Sequence, residues 1–216
     1  FQVSIVHGQM NAEAKAYDSK ITFTQNDTEL SSVAVTGKGV AAGSGLPSHS
    51  NWFTAGSDLA GLGDGLVTPT DVIANNLNAG SSKTLAVNGQ DTSVARFVAN
   101  SALARAEDQY LQFSVTAVEQ PFKVSGISAY LTSSGGSTVV ADIEYATDAQ
   151  FASPVKLNDA PLSFTKDTMQ LVEYPAVLTV AVGESIYVRI CPWNSKGDIG
   201  KYLALYDVKI EGLSGE

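Results

Sequence analysis

The chain has 216 residues, a formal net charge of −9 and a pI near 4.6, with 44% hydrophobic and 16% charged residues. That balance supports a real core, and the 13 scattered Lys and Arg form no basic stripe of the kind a nucleic-acid binder needs. The charge also disfavours an anionic membrane surface, no apolar run approaches the ~20 residues of a membrane-spanning helix, and 19 glycines among many Ser, Thr, Ala and Val fit a secreted β-protein.

In chain order, residues 1–8 (FQVSIVHG) and 20–25 (KITFTQ) read as strands. Residues 31–45 start as a strand and dissolve into Gly and Ala. Residues 43–92 are rich in Gly, Ser, Asn and Asp and poor in periodicity. They predict an elaborated loop region that keeps Trp52, Phe53, Leu62, Leu66, Val72 and Ile73 available for packing. Inside it, 68–80 predicts one or two helical turns, capped by Thr70 and stopped by Gly80. From residue 93 the β pattern is strong. Residues 93–100 form one run. In 109–118, Leu111, Phe113, Val115 and Ala117 share a face opposite Tyr110, Gln112, Ser114 and Thr116. Residues 122–134 put Ile127, Ala129 and Leu131 opposite Ser128 and Tyr130. Residues 137–148 put Ala141, Ile143 and Tyr145 opposite Asp142 and Glu144. Residues 100–109 have a helical composition or form the loop before a strand. Residues 176–193 hold two strands around Gly183 and Glu184. The runs 184–194 (ESIYVRICPWN) and 201–212 (KYLALYDVKIEG), separated by SKGDIG, carry a β-hairpin signature. Short strands at this spacing predict an all-β fold: a two-sheet antiparallel jelly-roll-like sandwich, one domain over 1–216.

The single cysteine, Cys191, excludes an intrachain disulfide; between Ile190 and Pro192 it reads as a small buried hydrophobe. The chain opens on Phe1, without a signal peptide, and reads as a piece of a longer or processed protein.

In residues 186–193 the aliphatics Ile186, Val188 and Ile190 alternate with Tyr187, Arg189, Cys191 and Trp193. With the aliphatics inward, Tyr187, Arg189 and Trp193 share the outer face. Tyr110, Tyr130, Asp142 and Glu144 occupy corresponding faces of other strands. If those strands are neighbours, aromatic rings and charged hydrogen-bonders mix on one surface. Sugar recognition needs that mixture: rings pack on the C–H faces of pyranoses, and Arg and carboxylates satisfy hydroxyls. Cross-strand packing is the competing reading. Trp52, in the polar stretch SHSNWFTAGSD, is either an exposed binding residue or a buried anchor. His49 beside it reads as a surface histidine.

Catalytic sets are sparse. Only His7 and His49 are present, without a G-x-S-x-G, H-E-x-x-H or paired-Cys motif. Asp142 and Glu144, at i and i+2, fall about 7 Å apart, inside the ~5–9.5 Å window of glycosidase pairs. Any two acids on a strand meet that test, so no catalytic residue is assigned and the chain reads as a non-enzyme. Asp18, Asp27, Glu29 and Asp207 offer oxygen donors without EF-hand spacing.

Four stretches carry a family resemblance: 108–116 (DQYLQFSVT), 140–151 (VADIEYATDAQF), 184–193 (ESIYVRICPW) and 200–212 (GKYLALYDVKIEG). They resemble the accessory β-sandwich modules of secreted polysaccharide-degrading enzymes of Bacteroidetes-type bacteria, the pectate-lyase-associated kind above all. The resemblance covers about residues 93–213, with a looser match before. It implies a secreted or cell-surface carbohydrate-binding module, monomeric, attached to a larger enzyme and targeting a plant cell-wall polysaccharide of the pectin or xylan class. The candidate ligand residues are Trp193, Arg189, Tyr187, Tyr130, Glu144 and Trp52. It also implies a structural Ca²⁺ with Asp207 as one ligand. Cys191 stands where an aromatic is expected. The alternatives are a structural spacer without glycan affinity and, behind it, a small lyase or hydrolase.

Overall fold

In the computed structural model, the described residues are 16–25, 28–38, 45–55, 58–70 and 72–215, with backbone alone for 16–25, 28–38, 54, 55 and 58. The predicted strand at 1–8, His7 and Asp27 lie outside them; of Asp18 and Glu29 only the backbone is described. The chain divides into two compact units, Phe1–Leu46 with Gly215–Glu216, and Pro47–Ser214. In the first, β1 (Ala16–Gln25) and β2 (Thr28–Lys38) pair antiparallel, with a register shift at Phe23/Thr24.

The strands that follow are β3 (Leu46–Ala55), β4 (Asp58–Gly63), β5 (Val67–Pro69), β6 (Ile73–Asn75), β7 (Ala79–Val87) and β8 (Gln90–Val98). Then come β9 (Tyr110–Ala117), β10 (Phe122–Ser134), β11 (Val139–Ala146), β12 (Val155–Lys156) and β13 (Leu162–Ser163). The last are β14 (Gln170–Val180), β15 (Ser185–Asn194) and β16 (Tyr202–Ser214). They make the expected two-sheet antiparallel sandwich. One sheet runs β14-β10-β16-β3-β4, with β8 also on β16 and β7 on β8. The other runs β12-β11-β15-β9-β5, with β13 on β11 and β6 on β9. Among the described residues no helix is long and apolar enough to cross a membrane.

The core lies between the sheets and follows the predicted alternation. Leu111, Phe113, Val115 and Ala117 of β9 are fully buried, as are Ile186 and Val188 of β15, and they meet Leu131, Leu203, Leu205 and Ile210 of the opposite sheet. β16 faces inward at 203 and 205 and again at 208 and 210, which strict period two forbids. A β-bulge reconciles them: Asp207 and Val208 stand opposite Ala129, and Asp207 takes φ 48°. Asp is among the few residues with a side chain that tolerate this left-handed region.

Three expectations change. Residues 43–92 carry β3 to β7 and the start of β8 in place of a loop. Three of their glycines, Gly61, Gly63 and Gly80, are strand residues under close approach. A Cβ at Gly61 would sit 2.9 Å from the Trp52 indole nitrogen, and one at Gly63 would collide with the Val67 carbonyl oxygen. Such glycines look like turn signals in sequence but permit close contact here. The described residues of 68–80 form β5, β6, a turn and the start of β7, not helical turns, because short edge segments pair with β9. The predicted hairpin at 184–212 is two strands in different sheets. β15 pairs with β11 and β9, whereas β16 pairs with β10 and β8. The connection at 195–201 crosses from one layer to the other, a span of about 10 Å.

Candidate functional site

The outer face of the β9–β11–β15 sheet brings together most of the predicted residues. In register, Glu144 stands across from Arg189, Asp142 from Cys191, and Arg189 from Gln112. The Arg189 guanidinium lies 3.7 Å from the Tyr110 ring centre and 3.7 Å from that of Phe151. Its Nε–H donates to Gln112 Oε1 at 2.9 Å, and Nη2 donates to the Ala149 carbonyl at 3.2 Å. Phe151 holds φ 55°, an outlier for a bulky residue, and so closes the second side of the clamp. The Arg189 guanidinium is therefore held by its own protein against two aromatic rings. Tyr187 beside it is half-buried. Trp193 lies at the end of the same strand and is buried, 7% exposed.

The two acids of this face are neutralised internally. Glu144 accepts from Arg105 Nη2 at 2.8 Å. Asp142 meets Lys156 Nζ at 3.0 Å and Arg105 Nη1 at 3.6 Å, and accepts from Asn158 Nδ2 at 2.9 Å. Both carboxylates are buried and engaged by Arg105, Lys156 and Asn158, which counts against their meeting a substrate. Burial works against the Arg105 charge, but Cys191, Glu144 and Glu107 outweigh it and hold the guanidinium above its ordinary value.

Cys191 is buried as its neighbours predict, and its thiol is pushed up to about 12 by burial first, with Glu144 and Asp142 adding to the shift and Arg105 and Arg189 opposing it. Such a thiol stays protonated and unreactive. We expect no alkylation of the native protein by iodoacetamide at about pH 8, near the ordinary thiol value, and complete labelling once urea unfolds it. Rapid labelling of the folded protein would contradict the buried position.

Tyr130 and Trp52 are elsewhere. Trp52 is fully buried in β3, its Nε1–H donating to the Thr70 carbonyl at 2.9 Å and its ring edge-on to Phe113 at 5.3 Å. It is an interlayer anchor, not an exposed loop aromatic, because it lies in a strand whose inner face meets β9. Tyr130 lies on the outer face of the other sheet, directly across from Tyr206 of β16. Tyr206 in turn packs on Phe53 of β3, ring centres 5.7 Å apart. All three rings are half-buried and form a row across β10, β16 and β3. Polar groups flank it. Asn88 Nδ2 donates to the Tyr130 hydroxyl at 2.6 Å, and Asn51 Nδ2 donates to Asp207 Oδ1 at 2.5 Å. Leu85, Val87, Val94 and Ala204 pack beneath Tyr130 and Tyr206 and set the rings in place.

Tyr206 was not among the sequence candidates, and Phe53 entered only as the loop aromatic beside Trp52. Tyr206 was hidden in the apolar run YLALY. Strict alternation there puts Leu203 and Leu205 inward and Tyr202 and Tyr206 outward, and that was the available signal. The carboxylate of Asp207, the predicted calcium ligand, accepts from Asn51 Nδ2. Among the described residues no group of three or more His, Cys, Asp or Glu converges.

No protein-family model matches the sequence, and no curated protein matches it significantly. Among solved structures, the chain is similar to the CBM22-1 xylan-binding domain of Paenibacillus barcinonensis Xyn10C, with 12% identity, 82% of this chain and 100% of that one covered, and a TM-score of 0.46. It is also similar to the enzymatically active domain of tailspike protein 4 of bacteriophage CBA120, at 13% identity, 68% and 19% coverage and a TM-score of 0.36. A third is the structure of infectious bursal disease virus, Gx strain, at 11% identity, 89% and 47% coverage and a TM-score of 0.35.

Proposed function

We propose that this chain is a non-catalytic carbohydrate-binding module of a secreted or cell-surface bacterial protein, holding an attached enzyme on a plant cell-wall polysaccharide of the pectin or xylan class. The observation that supports it is the row Tyr130–Tyr206–Phe53. Three rings on one sheet face, edged by Asn88, Asn51 and Asp207, offer stacking surfaces for successive sugar rings and acceptors or donors for their hydroxyls. Binding is shallow and modest in affinity, because sugar hydroxyls exchange water for hydrogen bonds of similar quality. The net charge of −9 favours neutral or lightly charged chains over homogalacturonan. Catalysis by Asp142 and Glu144 is disfavoured by their burial and their pairing with Arg105 and Lys156.

A structural spacer is the second reading. The burial of Trp193 and the clamping of Arg189 favour it for the β15 face, whose aromatic and cationic groups serve the fold.

Affinity electrophoresis in gels cast with pectins, xylans, xyloglucan, mixed-linkage glucan and galactomannan separates the two. Wild type is retarded in at least one gel. Tyr206→Ala, which removes the central ring, weakens retention about tenfold or more, the loss of over 1 kcal/mol typical of a binding hot spot. Tyr187→Ala leaves it within about twofold, the scale of a neutral contact. Free migration of wild type in every gel would favour the spacer. Loss with Tyr187→Ala alone would move the site to the β15 face.

A further inference from the structure

Asp207 stands beside the aromatic row, and the fold asks for its shape but not for its charge. Its backbone takes φ 48° at the β16 bulge, and its Oδ1 accepts from Asn51 Nδ2 at 2.5 Å. Asparagine would meet both demands. It tolerates the left-handed region as aspartate does, and its side-chain oxygen is also an acceptor. What asparagine would not bring is the negative charge. Among the described residues no histidine, lysine or arginine pairs with the Asp207 carboxylate. The next outward charges on β16, Lys209 and Glu211, pair with each other and leave it uncancelled.

That charge lies next to two of the three rings. Asp207 follows Tyr206 in the chain. Its partner Asn51 lies two residues before Phe53, and both point outward because Trp52 between them is fully buried. Two residues along a strand span about 7 Å. A sugar stacked on Tyr206 and Phe53 therefore brings its substituents about that close to the carboxylate. A hydroxyl placed there meets an acceptor. A uronate placed there meets a like charge, which at about 7 Å lowers affinity about threefold even at the dielectric constant of water, and further in the less polar setting of a half-buried group.

From this we infer that Asp207 is a specificity-determining residue of the aromatic row: it turns away uronate-bearing stretches and confines the row to uncharged glycan. This role rests on the carbohydrate-binding reading above and deepens it. The overall charge of −9 also disfavours polyanions, but it is spread over the chain. The two effects differ in reach, because charges beyond the Debye length, about 10 Å at 0.1 M salt, are largely screened.

The test is isothermal titration calorimetry of the whole chain with glucuronoxylan and polygalacturonate, each beside its carboxyl-reduced form, in which every uronate has become a neutral sugar. EDTA is present throughout, so that no divalent ion bridges two carboxylates. Wild type is expected to bind at least one reduced polymer, and to bind it about threefold or more tighter than its charged parent at about 0.1 M salt. Asp207→Asn closes that gap by gaining affinity for the charged parent, while its affinity for the reduced polymer stays within about twofold, which also shows that the bulge and the row are intact. Glu119→Gln removes the same formal charge from an exposed position in the β9–β10 turn. Its place near Phe122 is about 25 Å along the strand from Tyr130, so it leaves the gap as in wild type. A gap that persists in Asp207→Asn, or that closes equally in Glu119→Gln, overturns the role of Asp207 and leaves the binding reading standing. Binding of the reduced polymer that survives Tyr206→Ala, or no binding of any polymer by wild type, overturns both.

Discussion

Trp52→Ala lowers the stability of the sandwich by about 3–5 kcal/mol, the range for deleting a buried large aromatic. Trp52 is the largest of the fully buried side chains. It sits on β3 of one sheet and meets Phe113 on β9 of the other, edge to face. Alanine removes that cross-layer contact and leaves a void that the interdigitated strands fill only in part. It also leaves the Thr70 carbonyl without the indole N–H that now reaches it at 2.9 Å. Gly61 makes the effect specific, since its missing Cβ is the space the indole uses. Trp52→Phe keeps one aromatic ring between the layers but loses part of the bicycle together with the N–H, so it should cost less than Trp52→Ala. Urea denaturation followed by far-ultraviolet circular dichroism measures both. A shift of under about 1 kcal/mol for Trp52→Ala, the scale of a surface substitution, would mean that Trp52 is not the anchor described.

The long strands β9, β10, β11, β15 and β16 were legible because each sends a row of apolar side chains into the core. Leu111, Phe113, Val115 and Ala117 alternate without error with Tyr110, Gln112, Ser114 and Thr116 because β9 is an interior strand, between β15 and β5, lying over the core. Strands at 46–87 were not legible, for the converse reason. In β4 and β6 most described residues are exposed, and β7 buries only Leu85 and Val87, so alternation had little to report. Sheet membership was illegible for a different reason. Period two fixes which way a side chain points, not which strand lies beside it, and residues 195–201 serve equally as a hairpin turn or a layer crossing.

The site followed the same rule. Tyr187, Arg189 and Glu144 were correctly placed on one face, and Tyr130 was correctly placed on the outer side of its strand. What alternation could not supply was that Tyr130 neighbours Tyr206, nor that Phe53 completes the row, since both facts depend on pairings between strands distant in sequence. The bulge at Asp207 adds to this. Without it, Leu203 and Leu205 cannot face inward together with Val208 and Ile210, and Tyr206 cannot stand outward beside Tyr130 while the strand end still seals the core. A residue singled out in sequence as a metal ligand thus has a structural role, because its tolerance of positive φ sets the geometry of the aromatic row.

The second large effect is expected at Arg105. Arg105→Met should destabilise the protein by about 3–5 kcal/mol, the cost of stripping one partner from a buried ion pair. What each acid retains decides the size of the loss. Asp142 keeps Lys156 and Asn158. Glu144, 4% exposed, keeps only the weak Cys191 thiol contact at 3.9 Å and the cross-strand neighbour Arg189, whose guanidinium is already held by Gln112, Ala149 and two rings. The unpaired carboxylate, not the missing arginine, carries the penalty. It follows that Glu144→Gln introduced into the Arg105→Met background restores most of the loss, since it removes the stranded charge and keeps the shape. Glu144→Gln alone should cost less than Arg105→Met, because Arg105 is 18% exposed at its side chain and keeps Glu107 and Asp142. A double-mutant cycle in urea measures this coupling. Strict additivity of the two substitutions would mean that Arg105 acts through packing of its stem over the sheet, and that the charge network on the β9–β11–β15 face is incidental to stability.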